Sequence, residues 1–224
     1  MSLWTQLADL LFPPKCVFCR RVLDAPGICP ACEKALPWTE GDEMELRLPG
    51  GSPCAAPLFY ESSVRQALLR LKFQGGTAAA EPLGVLLAGA AAERFSGAFD
   101  TVTWVPVGPK RLKKRGYDQA QLLAQSACRV WDTAPERLLV KPLDNPAQSG
   151  QSDAAARRAN VLGRYEPAPG TRLTGRRVLL IDDICTTGAT LNECARTLLD
   201  AGAETVVCAV AARTRAVKKE TKPR

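Results

Sequence analysis

Histidine is missing from all 224 residues of the chain. Its absence removes Ser–His and Cys–His nucleophile machinery, and with it any histidine-ligated zinc. There is also no G-x-x-x-x-G-K-[ST] run and no G-x-G-x-x-G run, so neither of those phosphate-binding turns is encoded. Long apolar stretches are lacking too. The longest, Leu83 to Ala92, is too short to cross a bilayer. The first twelve residues carry Asp9 and no basic n-region, and they read as an amphipathic helix rather than a signal peptide. A cytoplasmic location without membrane insertion is therefore expected, with cysteines kept reduced. Aromatic residues make up only 6%, which leaves few stacking platforms for single-stranded nucleic acid.

What is present begins with cysteine. Cys16-Val-Phe-Cys19 and Cys29-Pro-Ala-Cys32 form two C-x₂-C pairs separated by nine residues. Four thiolates complete a tetrahedral zinc shell, and Pro26 and Gly27 suit the turn between the halves. In a reduced compartment the expected role is structural: Zn²⁺ folding a segment too small for its own core. Redox use of the pairs and an iron–sulfur cluster are the alternatives. Lys15, Arg20, Arg21 and Lys34 surround the cysteines with positive charge, and the chain as a whole carries +7. Anionic partners are favoured, whether a nucleic acid or a polyphosphate metabolite.

The most informative run is Arg177-Val-Leu-Leu-Ile-Asp-Asp-Ile-Cys-Thr-Thr-Gly-Ala-Thr190. Val178 to Ile181 read as a buried strand of a parallel sheet. Asp182 and Asp183 stand where that strand is expected to end. Thr186, Thr187, Gly188, Ala189 and Thr190 then lead into a helix through Asp200. A loop of small and hydroxyl residues at a helix N-terminus offers free N–H groups and a favourable dipole to an anion. The carboxylates can hold sugar hydroxyls or Mg²⁺. The implied ligand is a phosphorylated sugar. A well-capped helix start with no ligand is the plain alternative.

Elsewhere, helices are expected over Tyr60–Gln74, Ala78–Arg94 and Gly116–Trp131. Strands are expected over Phe99–Val107, Arg137–Val140 and Glu204–Ala212. Their alternation implies a mostly parallel sheet with helices on both faces. Lys141 to Arg158 read as a long loop. Lys110, Arg111, Lys113, Lys114 and Arg115 follow a strand end, where ligands bind in open α/β sheets. Arg111 and Arg115 are the expected phosphate ligands here, because guanidinium presents a fork that phosphate accepts. A solvated basic surface is the alternative. Lys72, before Phe73, is undecided between a buried-end cation and an amphipathic surface residue.

The acid pair followed by Thr-Thr-Gly-x-Thr resembles the phosphoribosyl pyrophosphate (PRPP) motif of type I phosphoribosyltransferases. Taken in order, the cysteine pairs, Leu71-Lys-Phe-Gln74, Val105-Pro-Val107, Arg111, Arg115-Gly-Tyr-Asp-Gln119, Gln148-Ser-Gly150, Arg157 to Asn160 and the acidic run resemble the ComF/GntX-like family. These are competence-associated, phosphoribosyltransferase-like proteins with an N-terminal zinc knuckle. Asp118 departs from the Asn expected there, so it is left off the ligand set. The resemblance implies a type I phosphoribosyltransferase fold with an appended four-cysteine zinc module. It also implies a bacterial cytosolic setting and a link to the uptake or use of external DNA. Gln148 to Asn160 would form a hood over the substrate, with Arg157 and Arg158 entering on closure.

The expected organisation is an N-terminal helix and zinc module over 1–40, a linker over 41–57, a phosphoribosyltransferase domain over 58–215 and a disordered basic tail over 216–224. The expected activity is Mg²⁺-dependent phosphoribosyl transfer from PRPP to an unidentified acceptor. Asp182, Asp183 and Arg115 would be catalytic, and Arg111 and residues 186–190 would bind PRPP. The alternative is a non-catalytic protein that binds PRPP or single-stranded DNA, or docks with other DNA-uptake proteins.

Overall fold

The computed structural model describes residues 13–142 and 165–215. The expected N-terminal helix, the hood residues from Gln148 to Asn160 and the basic tail lie outside the described residues.

Two long strands hold the centre, β7 (Arg177–Cys185) and β8 (Thr205–Arg213). They run parallel, with Val178 opposite Val206 and Ile181 opposite Ala209. On one side of β7 lies β4 (Thr101–Trp104), also parallel. On the far side of β8 lie β2 (Pro53–Ala55) and β3 (Leu58–Phe59), again parallel. The short β1 (Glu45–Arg47) closes that edge antiparallel to β2. The order is β1-β2-β8-β7-β4, with β3 as a second partner of β8.

Alternation along the strands divides the core. Leu179, Ile181, Val207, Ala209 and Ala211 face one layer; Val178, Leu180, Val206, Cys208 and Val210 face the other. Both faces are apolar because both are covered, as a parallel sheet requires. The first layer holds α2 (Ser62–Phe73), α3 (Ala80–Phe95) and α5 (Gln119–Val130). The second holds α6 (Ala189–Asp200), through Leu191, Cys194, Ala195 and Leu198. Burying one such Leu or Ile contributes about 1.5–3 kcal/mol. The alanine content of α3 has a packing cause. A Cβ on Gly84 would collide with Ser126 Cβ of α5, and Ser126 Oγ donates to Glu81 O at 2.9 Å. Only small residues allow the two backbones that close.

Four expectations change. β7 continues through Cys185, so Asp182 and Asp183 lie inside a strand rather than at its end. The 41–57 stretch contains β1 and β2, joined by a tight reversal in which Gly51 N donates to Leu48 O and Leu48 N to Ser52 O. Cys54 and Ala55 are fully buried, and that burial outweighs the Pro/Gly-rich composition that reads as a linker. The basic stretch after β4 is a two-turn helix, α4 (Pro109–Arg115), opened by Pro109 at its first turn and ended by left-handed Gly116. Finally, β5 (Leu139–Val140) pairs with β6 (Glu166–Pro167) in a separate two-stranded sheet, not with β4.

The zinc module is continuous with the first core layer: Cys16, Val17, Phe18, Cys29 and Leu36 belong to the same buried cluster as α2 and α3. Its own helix, α1 (Pro30–Ala35), starts at the last cysteine pair.

Candidate functional site

At the C-terminal ends of β4 and β7 the molecule opens into a cavity of about 850 Å³. Arg111, Arg115, Asp182, Asp183, Thr186 and Thr190 all line it. Thr187, Gly188 and Ala189 line a small adjoining hollow together with Thr186 and Thr190. The structure thus places Arg111, Arg115, Asp182, Asp183 and residues 186–190 around one opening; Arg157 and Arg158 lie outside the described residues.

The hollow is built by backbone. Gly188 has φ +71° and precedes the first turn of α6 with no side-chain cap. A Cβ there would stand 2.8 Å from Leu48 Cδ2 of the β1–β2 turn, so both conformation and space demand glycine. Thr187 Oγ1 accepts from Ala189 N at 3.4 Å. Thr214 Oγ1 donates to Thr186 O, and Thr214 N to Cys185 O, tying the loop to the chain after β8. The β1–β2 turn braces the opposite side, where Gly50 N donates to Asn192 Oδ1 at 2.5 Å.

The acid pair is buried: Asp182 is 8% exposed and Asp183 3%. Burial, and then the Asp183 charge, hold the Asp182 carboxyl well above the ordinary carboxylate range, against the opposing pull of Lys72. Asp182 Oδ1 accepts from Asp183 N at 2.8 Å. Lys72 Nζ lies 2.7 Å from Asp183 Oδ2. That contact is one of charge without hydrogen-bond alignment, and Asp183 Oδ2 meets no aligned donor among the described residues. A buried carboxylate oxygen with a charge partner but no aligned donor, beside a second carboxylate, has the hard-oxygen chemistry that Mg²⁺ takes. Lys72, undecided in the sequence, therefore belongs to the site.

Arg115 leans over Phe73, its guanidinium carbon 5.0 Å from the ring centroid, and donates to Gln119 Oε1 at 2.5 Å. Phe73 is itself 66% exposed. Tyr117 OH donates to Leu71 O at 2.5 Å, which fastens the end of α2 to the turn after α4. Asp118 is not a ligand. Its Oδ1 caps α5 by accepting from Ala120 N and Gln121 N, and its Oδ2 accepts from Val107 N at 2.9 Å. Burial raises its carboxyl above the ordinary value, although these N–H groups oppose the rise.

The sequence reading missed Lys141 and Tyr165. Both line the cavity, with Lys141 Nζ 3.1 Å from Tyr165 OH. Burial pushes the Tyr165 phenol upward, so it stays a neutral O–H. No motif marks them, because their pairing spans the segment between β5 and β6.

In the N-terminal module the four sulfurs of Cys16, Cys19, Cys29 and Cys32 lie within 4.8 Å of one another, Cys19 and Cys29 at 3.7 Å. Tetrahedral zinc with bonds of about 2.3 Å sets sulfurs about 3.8 Å apart. Cys29 N donates to Cys16 Sγ and Cys32 N to Cys29 Sγ, both at 3.4 Å. For Cys16, burial opposes ionisation, but N–H groups of Cys29, Cys19 and Phe18 outweigh it and bring the thiol to about 6. Burial and then the neighbouring thiols push Cys32 strongly the other way. Four crowded sulfurs cannot all ionise without a cation between them, so the donor set fits structural Zn²⁺.

Comparison with known proteins agrees with both halves. The phosphoribosyl transferase domain family matches residues 112–223, and the double zinc ribbon domain family matches residues 7–42. Competence protein F of Haemophilus influenzae is 35% identical over 103 residues, covering 46% of this chain and 45% of that protein. The DNA utilization protein YhgH of Salmonella typhi is 26% identical over 219 residues, covering 88% of this chain and 96% of that one. Among solved structures, the glutamine PRPP amidotransferase of B. subtilis, complexed with ADP and GMP, aligns with a TM-score of 0.42 and 23% identity over 61% of this chain and 26% of that one. The chain thus spans about half of the competence protein it matches. The sequence resemblance to ComF/GntX-like proteins is met by these competence and DNA-utilization relatives. No helix among the described residues is long and apolar enough to cross a membrane.

Proposed function

Since this chain belongs to the phosphoribosyl transferase domain family, we propose that it binds PRPP and transfers its phosphoribosyl group to an acceptor in the cytoplasm. The observation that carries this reading is the single cavity into which Arg111, Arg115, Asp182, Asp183, Thr186 and Thr190 converge. Residues 186–190 and the start of α6 take the 5′-phosphate through backbone N–H groups. Asp182 and Asp183 hold the ribose hydroxyls. Arg111 and Arg115 neutralise the pyrophosphate as the C1′–O bond breaks and the leaving oxygen keeps the electron pair. The acceptor atom then bonds to C1′, and its proton passes to the departing pyrophosphate. Mg²⁺, held at Asp182 and Asp183 with PRPP, would add charge neutralisation for the leaving group. No histidine is needed, because proximity and electrostatics carry the step.

Calorimetry with PRPP tests the site. Asp183→Asn and Thr187→Val should each weaken binding by about tenfold or more, roughly 1.4 kcal/mol, with circular dichroism unchanged. Equal binding by all three proteins would move the site elsewhere. Product analysis with PRPP, Mg²⁺ and candidate bases or nucleic acid tests the chemistry: released pyrophosphate with a ribosylated product supports transfer.

A second reading is favoured by the exposed Phe73 beside Arg115 and by α4, none of whose residues is buried. Here the protein grips single-stranded DNA by the charge of α4 and of the basic residues around the zinc knuckle, with Phe73 as a stacking platform, in keeping with relatives named for competence and DNA utilization. Binding should then fall steeply with salt. Changing Lys15, Arg20 and Arg21 together to Ala should lower DNA affinity and spare PRPP binding. An anisotropy titration in which the triple variant binds DNA as well as wild type would clear the knuckle of that role.

A further inference from the structure

The acid pair is already served by a cation of its own. Lys72 Nζ stands 2.7 Å from Asp183 Oδ2, with the Lys72 side chain 22% exposed and that of Asp183 4%. Asp183 Oδ2 has no aligned hydrogen-bond donor among the described residues. A carboxylate buried that deeply needs a compensating charge, and the ammonium supplies it at this oxygen. Lys72 is the penultimate residue of α2 and hangs on a flexible four-carbon stem beside the open cavity. It can leave the carboxylate without moving the helix.

We infer that Lys72 is the resident counter-cation of Asp183, and that it excludes free divalent metal from the acid pair until a phosphate-bearing ligand draws the ammonium away. Mg²⁺ binds carboxylate oxygen at about 2.0–2.1 Å. An ammonium in contact with the same oxygen would stand within a few ångströms of the metal, two like charges on a carboxylate that itself has little access to water. Lys72 and a divalent ion are therefore rival partners of one atom. Arg111, Lys114, Arg115 and Lys141 line the same cavity and oppose a bare cation further. An anionic ligand reverses the balance, because its phosphates offer Lys72 a new partner and bring the metal further oxygen ligands. This last step rests on the PRPP reading; the rivalry itself does not.

Mn²⁺ binding to the full, zinc-loaded chain, read by electron paramagnetic resonance, tests the rivalry without PRPP. Lys72→Gln removes the charge yet keeps a donor for Asp183, so the fold stays supported; Lys72→Met serves if it does not. The neutral variant should bind Mn²⁺ about tenfold more tightly than wild type or Lys72→Arg. The gain should vanish in Lys72→Gln/Asp183→Asn. A neutral variant that binds Mn²⁺ no better than wild type, or a gain that survives loss of Asp183, overturns the inference. Adding PRPP should then narrow the gap between wild type and Lys72→Gln, and an unchanged gap overturns the displacement step. Failure of wild type to bind PRPP in a parallel calorimetric titration would sink the PRPP reading, while the PRPP-free titration still decides the role of Lys72.

Discussion

Gly188 shows how closely single residues are constrained around the site. Its left-handed backbone and the 2.8 Å approach of Leu48 leave no room for a methyl group. Gly188→Ala should cost about 1–3 kcal/mol of stability, measured by urea melts, and should weaken PRPP binding as the phosphate loop shifts. Asp118 gives a prediction with a pH signature. Because burial raises its carboxyl in the folded protein, its contribution is fully present below the unfolded value and is lost as pH rises through the folded one. An amide does not titrate. The stability deficit of Asp118→Asn should therefore be largest near pH 4 and shrink toward pH 7, which thermal melts across that range would read. A deficit that grows with pH contradicts it. At this scale the sequence was most legible where chemistry is contiguous. Asp182 through Thr190 and the four cysteines sit in short runs whose spacing carries their meaning. Lys141 and Tyr165 meet across the segment between β5 and β6, and nothing in their own neighbourhoods marks them. Lys72 stands in a recognisable run, but its partner Asp183 lies far along the chain and only the fold reveals the pairing.

Among the elements, periodicity revealed the long helices and the buried central strands, because each has a face fixed by its own sequence. The short edge strands escaped. β1 and β2 have three residues each, and their identity comes from pairing with each other and with β8 rather than from local pattern. Their turn matters to the site, since it packs against Gly188 and meets Asn192 on α6. Asn192→Ala should release that clamp. Faster hydrogen exchange at residues 48–52 and a several-fold weaker PRPP affinity are expected, with the global melt shifted by no more than about 1 kcal/mol. Unchanged exchange at the turn would show that the clamp is not needed.

Over the whole molecule, the zinc knuckle and the candidate site share one helix. Arg70 of α2 donates through Nη2 to Val17 O at 2.6 Å and Phe18 O at 3.1 Å. The residues that follow it on α2 include Lys72, Phe73 and the Leu71 carbonyl that anchors Tyr117. Composition and spacing read the knuckle as an appendage, because the shared core becomes visible only once the chain is folded. Stripping zinc should therefore disturb α2 as well as residues before Trp38, and PRPP affinity should fall with metal content. Arg70→Ala should weaken that link: the zinc-loaded variant keeps its metal but binds PRPP less tightly. Zinc removal that leaves PRPP affinity untouched would show the two halves to be independent.

The strand order carries a further consequence, for the birth of the chain on the ribosome. Among the described residues, β2, β3 and β4 find their parallel partners in β7 and β8, which follow all three in the chain. Until β7 and β8 are made, β2 has only β1 beside it, β3 and β4 lack their parallel partners, and the helices of the first layer lack the central strands they cover. The knuckle can close around zinc early, but the domain it packs on must wait for Arg213 at the end of β8. Such a chain assembles late and through distant contacts, a slow route that leaves apolar strands uncovered meanwhile. A nascent chain stalled before β8 should stay protease-sensitive up to that point and gain protection in one step once β8 has emerged.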